Sequence, residues 1–109
     1  MPWMKRDDLP FYGEGKGWQR QSHIYGSPFY YIDYCLAQTV ALQFWALIQK
    51  DQKLAWQRYM DLVSLAGTAT FTELVAAAGL DTPFGDEALK EVSSVAKAWL
   101  DSFDAEKLK

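Results

Sequence analysis

Between Tyr34 and Gln49 the chain carries no charged residue, no glycine and no proline. Leu, Ala, Gln and aromatic residues fill the stretch, and all are compatible with a helix interior. Apolar side chains at Ile32, Cys35, Leu36, Val40, Leu42, Phe44, Trp45, Leu47 and Ile48 lie nearly all round a helical wheel. The pattern predicts one long helix from about Phe29 to Lys50, and a helix without a polar face is expected to be central and covered on most sides. The stretch is shorter than the roughly 18 apolar residues that a membrane span requires. No apolar run of signal-peptide length precedes it, so the expected location is the cytoplasm, with no membrane partner.

The remainder of the chain, beyond Lys50, is also helical in pattern. From about Gln52 to Ala66, Lys53, Gln57, Asp61 and Ser64 form a wet stripe, and Leu54, Trp56, Tyr59, Met60, Leu62 and Val63 fill most of the rest. Gly67 is a natural stop, because it adopts the left-handed conformation without a Cβ penalty. Thr70-Phe71-Thr72-Glu73 matches a capping box opening a short helix through Ala78. The last helix, from about Asp86 to Phe103, has the cleanest period: Leu89, Val92, Val95 or Ala96, Trp99, Leu100 and Phe103. Asp86 and Glu87 stand in its first turn, where the helix dipole favours anions. No strand pattern or internal repeat appears, so the expected fold class is all-α.

Residues 1–28 read differently. Pro2, Pro10, Gly13, Gly15, Gly17, Gly26 and Pro28 break any long period. Trp3, Phe11, Tyr12, Trp18 and Tyr25 nevertheless sit among them. Such an aromatic arm either packs over the chain's own core or faces a partner surface. The expected organisation is therefore an irregular arm, 1–28, and a single helical domain, 29–109. One domain is what 109 residues, half of them hydrophobic, can support.

The residue inventory narrows the chemistry. A formal net charge of −3 gives no basic stripe for nucleic acid. The single cysteine, Cys35, forms no intrachain disulfide and is read as a small hydrophobe. The single histidine, His23, excludes an HExxH metal site within this chain, so no metal ligands are assigned. Gly13-x-Gly15-x-Gly17 follows no strand and is read as a flexible loop.

One constellation stands out. The block from His23 to Tyr34 holds the only histidine and four of the six tyrosines. Tyr31 and Tyr34 are three apart and share a helix face, and Tyr30 and Tyr34, four apart, share the neighbouring one. Phenols donate hydrogen bonds at neutral pH, and an imidazole can join them. Converging donors at a helix start suit an oxyanion or a peptide carbonyl. The same pattern also fits an aromatic helix start packed into the core with its hydroxyls satisfied locally.

HIYGSPFYYIDYCLAQTVALQFW, preceded by WQRQS and followed by FTELVAAAGLDTPF, closely resembles the C-terminal end of oligoendopeptidase F-type proteins, zinc metallopeptidases grouped with thimet oligopeptidase. The resemblance runs from about Pro2 to Phe103 and is most specific in the His–Tyr block. It implies the four-helix C-terminal portion of a helical metallopeptidase domain. It implies an oligopeptide substrate, with zinc held in the parent by HExxH and a downstream Glu on earlier helices. It also implies catalytic roles for His23, against the bound peptide, and Tyr34, donating to the tetrahedral oxyanion. Tyr31 then matches a substrate-binding tyrosine, with Tyr30 and Tyr25 as further substrate-binding candidates.

The chain departs from the family by lacking HExxH and the third zinc ligand. It is expected to be a fragment carrying half a cleft, inactive alone, with no cofactor of its own. The apolar helix should then lack its usual cover, and the free chain should form a homodimer or higher oligomer, with Trp3, Phe11, Trp18, Phe44 and Trp45 as interface residues. The alternative is a non-catalytic helical interaction or oligomerisation module.

Overall fold

The structure, a computed structural model, describes residues 8–104 and 106. All its regular elements are helical, and no strand occurs among the described residues. After a 3-10 helix at Lys16–Arg20 come five α-helices. They are α1 (Ser22–Gly26), α2 (Tyr31–Lys50), α3 (Gln52–Ser64), α4 (Phe71–Ala77) and α5 (Asp86–Ser102). The chain divides into two compact units, Met1–Cys35 and Leu36–Lys109. The expected helices correspond to α2 through α5; the 3-10 helix and α1 add regular turns to a stretch read as irregular.

In the second unit, helix boundaries follow local chemistry. Asp51 has an extended backbone and its carboxylate accepts from the Leu54 N–H at 2.9 Å, which caps α3. At α4 the Glu73 carboxylate accepts from the Thr70 N–H at 2.8 Å and from the Thr70 hydroxyl at 2.7 Å. These two bonds, the hydroxyl's first, hold the Glu73 carboxyl below the usual carboxylate range. Gly79 ends the turn after α4 with a φ of 62°, and a Cβ there would come 3.0 Å from the Arg58 guanidinium carbon. Arg58 donates to the Gly79 carbonyl at 2.8 Å, so a side chain at this position would be strained by the left-handed backbone and would push against the guanidinium that makes this bond.

The core of this unit is made of small side chains: Ala46 from α2, Ala55 from α3, Val75 and Ala78 around α4, and Ala88 and Val92 from α5. Small residues let helices approach closely but bury little apolar area each. A side-chain clamp supplements them. Gln43 donates to the Asp81 carbonyl at 2.9 Å and accepts from the Asp81 N–H at 2.8 Å, tying α2 to the turn before α5. Lys50 pairs with Glu91. Trp45 meets Trp99 edge to face at 6.1 Å, and Phe44 meets Tyr59 at 5.7 Å.

Cover on the apolar helix faces is partial. Within this chain α2 is not covered on most sides: Ala46 is its one buried residue, and Ile32 and Ile48 are exposed. The stripe on α5 is likewise half covered, with Val92 buried but Leu89, Trp99, Leu100 and Phe103 exposed. Four helices of these lengths do not supply enough neighbours for both faces. Between α2 and α3, Ala41, Phe44, Ile48, Ala55, Trp56 and Tyr59 line an apolar groove of about 510 Å³. Among the described residues no helix is long and apolar enough to cross a membrane.

Candidate functional site

The candidate residues fall in the first unit, and one turn positions them. His23 stands in α1, whose last hydrogen bond runs from the Ser27 N–H to the His23 carbonyl at 3.0 Å. The chain then reverses through Ser27-Pro28-Phe29-Tyr30, with the Tyr30 N–H donating to the Ser27 carbonyl at 3.2 Å. Proline fixes the second position, and Phe29 takes a φ of 68° at the third. That combination is a type II turn. The left-handed Phe29 also explains why α2 starts at Tyr31 rather than Phe29.

The turn brings the imidazole onto the first turn of α2. The His23 ring stacks on Tyr31 with centroids 5.2 Å apart and 22° between planes. Its edge meets Tyr34 at 5.6 Å and 80°. Tyr34 in turn meets Tyr30 at 5.5 Å and Tyr31 at 5.9 Å, both near edge to face. Four of the five residues singled out from the sequence thus form one cluster. Tyr25 does not join it; its ring stacks on Trp18 at 6.3 Å, a pairing with no local signal in the sequence.

The cluster lies open, not packed into a core. Tyr30, Tyr31 and Tyr34 are all exposed, and the first unit has no buried residue among those described. Local satisfaction is incomplete as well. His23 Nδ1 is shielded by its neighbours and has no hydrogen-bond partner among the described residues. Buried polar atoms ordinarily have one. A hydrogen bond with the Tyr30 side chain first, then the nearby Tyr30 phenol, slight desolvation and the Tyr31 phenol raise the Tyr34 pKa above the ordinary tyrosine value. Tyr34 is therefore a neutral donor throughout the neutral and mildly alkaline range.

Elsewhere in this unit Arg20 bonds the Tyr12 hydroxyl and lies 5.8 Å from the centre of its ring. Phe29, which no sequence motif singles out, is 95% exposed. A proline followed by a non-glycine residue at a chain reversal is the signal that could have drawn attention to it.

The residues do not fit a zinc ion. Among the described residues no three His, Cys, Asp or Glu side chains lie close enough to hold a metal. With one histidine in the whole sequence, the ligand chemistry of such a site is lacking.

No family model and no curated protein sequence matches this chain. Solved structures do. A 3.1 Å X-ray structure of a protein described as an oligoendopeptidase F is 48% identical over 94% of the chain, with a TM-score of 0.83. A PZ peptidase A with a bound inhibitor is 44% identical over 95% of the chain, also with a TM-score of 0.83. The chain spans 18% of the length of each of these proteins. It therefore shares both sequence and helical fold with a segment of oligoendopeptidase F-type peptidases, as the His–Tyr block and the helices after it indicated.

Proposed function

We propose that this chain is the substrate-binding C-terminal segment of an oligoendopeptidase F-type peptidase that hydrolyses peptide bonds in oligopeptides. The observation that carries the reading is the cluster of His23 with Tyr31 and Tyr34, in a segment nearly half identical to such peptidases. Its hydrogen-bonding groups suit a peptide backbone. Tyr34 donates to the oxygen that gains charge as a carbonyl carbon becomes tetrahedral. His23 offers its unpartnered nitrogen to the peptide near the bond being cut. Tyr31, and more weakly Tyr30, holds the backbone or a terminal carboxylate. Tyr25 keeps a substrate-binding role only at a distance from these, beside Trp18. The attacking water and the zinc are assigned to other parts of the parent, so the chain by itself binds no stoichiometric zinc and cleaves no peptide. The cytoplasm is its proposed location.

A chimera tests this directly: the chain replaces the matching segment of the solved oligoendopeptidase F. Hydrolysis of a fluorogenic peptide is expected from the chimera and not from the 109-residue chain. Chelator-sensitive cleavage by the isolated chain, with one tight zinc per chain, would overturn the assignment of the missing parts.

The uncovered apolar surface carries a second expectation. Trp18 is exposed in the first unit, and Ile48, Trp56, Leu89 and Leu100 are exposed in the second. Phe11, Phe44 and Trp45 are partly covered, and Trp3 lies outside the described residues. The free chain is proposed to self-associate, a homodimer being the simplest closed form. Light scattering at micromolar concentration should give a mass above 12.5 kDa. The same surface favours the reading as a non-catalytic interaction module. That reading makes Tyr34 dispensable, so the chimera separates the two.

A further inference from the structure

Phe29 is costly in two independent ways within this chain. Its backbone is left-handed, at a φ of 68°, where a residue with a Cβ is strained and glycine or asparagine is preferred. Its ring is 95% exposed, so no packing offsets that strain. The type II turn needs a positive φ at this position and would be served better by glycine. The phenyl ring is therefore not there for the turn.

Its place suggests what it is there for. The turn is closed by the bond from Tyr30 to Ser27, and the Ser27 N–H is bonded to His23. Phe29 thus sits on the reversal that sets the imidazole against Tyr31, immediately before the three clustered phenols. In sequence it directly precedes Tyr30 and stands two residues before Tyr31. Strained conformations of this kind concentrate at ligand-contacting sites.

We propose that Phe29 is a specificity-determining residue, its exposed ring receiving a bulky apolar side chain of the bound peptide. This rests on the peptide-binding role of the His–Tyr cluster. An apolar side chain stacked on the ring removes both from water and fixes which residue of the peptide lies next to the phenols. Gly and Ala at that peptide position gain little from it.

The test compares unsubstituted, Phe29→Gly, Phe29→Asn and Phe29→Leu chimeras on a peptide set varying one residue at a time among Gly, Ala, Leu and Phe. Phe29→Gly and Phe29→Asn suit the turn, so the thermal midpoint of the chain should hold or rise. They should nevertheless lose about 10–100-fold in kcat/KM for the best Leu or Phe peptide, with little change for its Gly or Ala counterpart. Phe29→Leu should retain most of the preference. An equal fall for every peptide would assign the ring to packing or turn placement and overturn the proposal, as would no fall at all. Failure of the underlying reading looks different: Tyr34→Phe would then leave turnover untouched whatever Phe29 does. If the chimera does not assemble, Phe, Gly and Leu placed at the aligned position of the host peptidase carry the same comparison.

Discussion

The two units use their residues for opposite ends. In Leu36–Lys109 the polar side chains serve the backbone: Asp51 caps α3, Glu73 closes the capping box, Gln43 grips Asp81 and Arg58 grips Gly79. Small residues fill the interior. In Met1–Cys35 no described residue is buried as a whole, two bulky residues, Phe11 and Phe29, have left-handed backbones, and a shielded imidazole nitrogen has no partner among the described residues. The first pattern is that of a scaffold. The second resembles a recognition surface, because strain and unmet hydrogen bonds persist where a ligand later compensates them.

The contrast predicts that substitutions in the two units fail in different ways. The largest effect should come from Tyr34→Phe in the chimera, lowering kcat by about 10²–10³ with little change in ground-state binding. Tyr31→Phe should instead raise KM more than it lowers kcat. Steady-state kinetics on one peptide decides both. Untouched turnover in the Tyr34 variant would return the cluster to mere packing. Because the Tyr34 pKa is raised, its proton is held more tightly in the folded state. Its contribution is fully present below about pH 10 and is lost as pH rises through the higher folded value.

In the second unit the response should be in stability. Ala78 is 0% exposed, so Ala78→Leu overpacks the core and should cost about 1–3 kcal/mol in urea unfolding followed by helical circular dichroism. Ile32→Ala, at a 58% exposed position of the first unit, should stay within about 0.5 kcal/mol. The reverse order would erase the distinction between scaffold and surface.

A smaller loss than at Ala78 is expected at the capping box, where Thr70→Ala should cost about 1 kcal/mol. The Glu73 carboxyl is held below its ordinary pKa, so its contribution is present above about pH 4.3 and lost as pH falls through the lower folded value. Glu73→Gln should flatten that acid limb of the stability curve.

Much of this is legible in local patterns. The charge-free run marks α2, the Thr70–Glu73 spacing marks α4, and the three-residue step from Tyr31 to Tyr34 places two phenols together. Each signal lies within a few residues of what it specifies. The pairing of Gln43 with Asp81 across the chain leaves no periodic trace, and neither does the stacking of Tyr25 on Trp18. The poor cover on α2 is not written in the pattern of α2 itself; it follows from the resemblance, which places the covering helices outside this chain. An all-round apolar helix states that it needs neighbours, and says nothing of whether this chain contains them.

Tyr34 and its neighbours are proposed to recognise a peptide as its carbonyl becomes tetrahedral. Affinity for a phosphinic peptide, which carries the tetrahedral geometry, tests it against a matched planar amide inhibitor. Isothermal titration of the chimera and its Tyr34→Phe variant should show the phosphinic compound losing affinity by about 10²–10³, in step with kcat, while the amide binds unchanged. Equal losses for both compounds, or none for either, would contradict it.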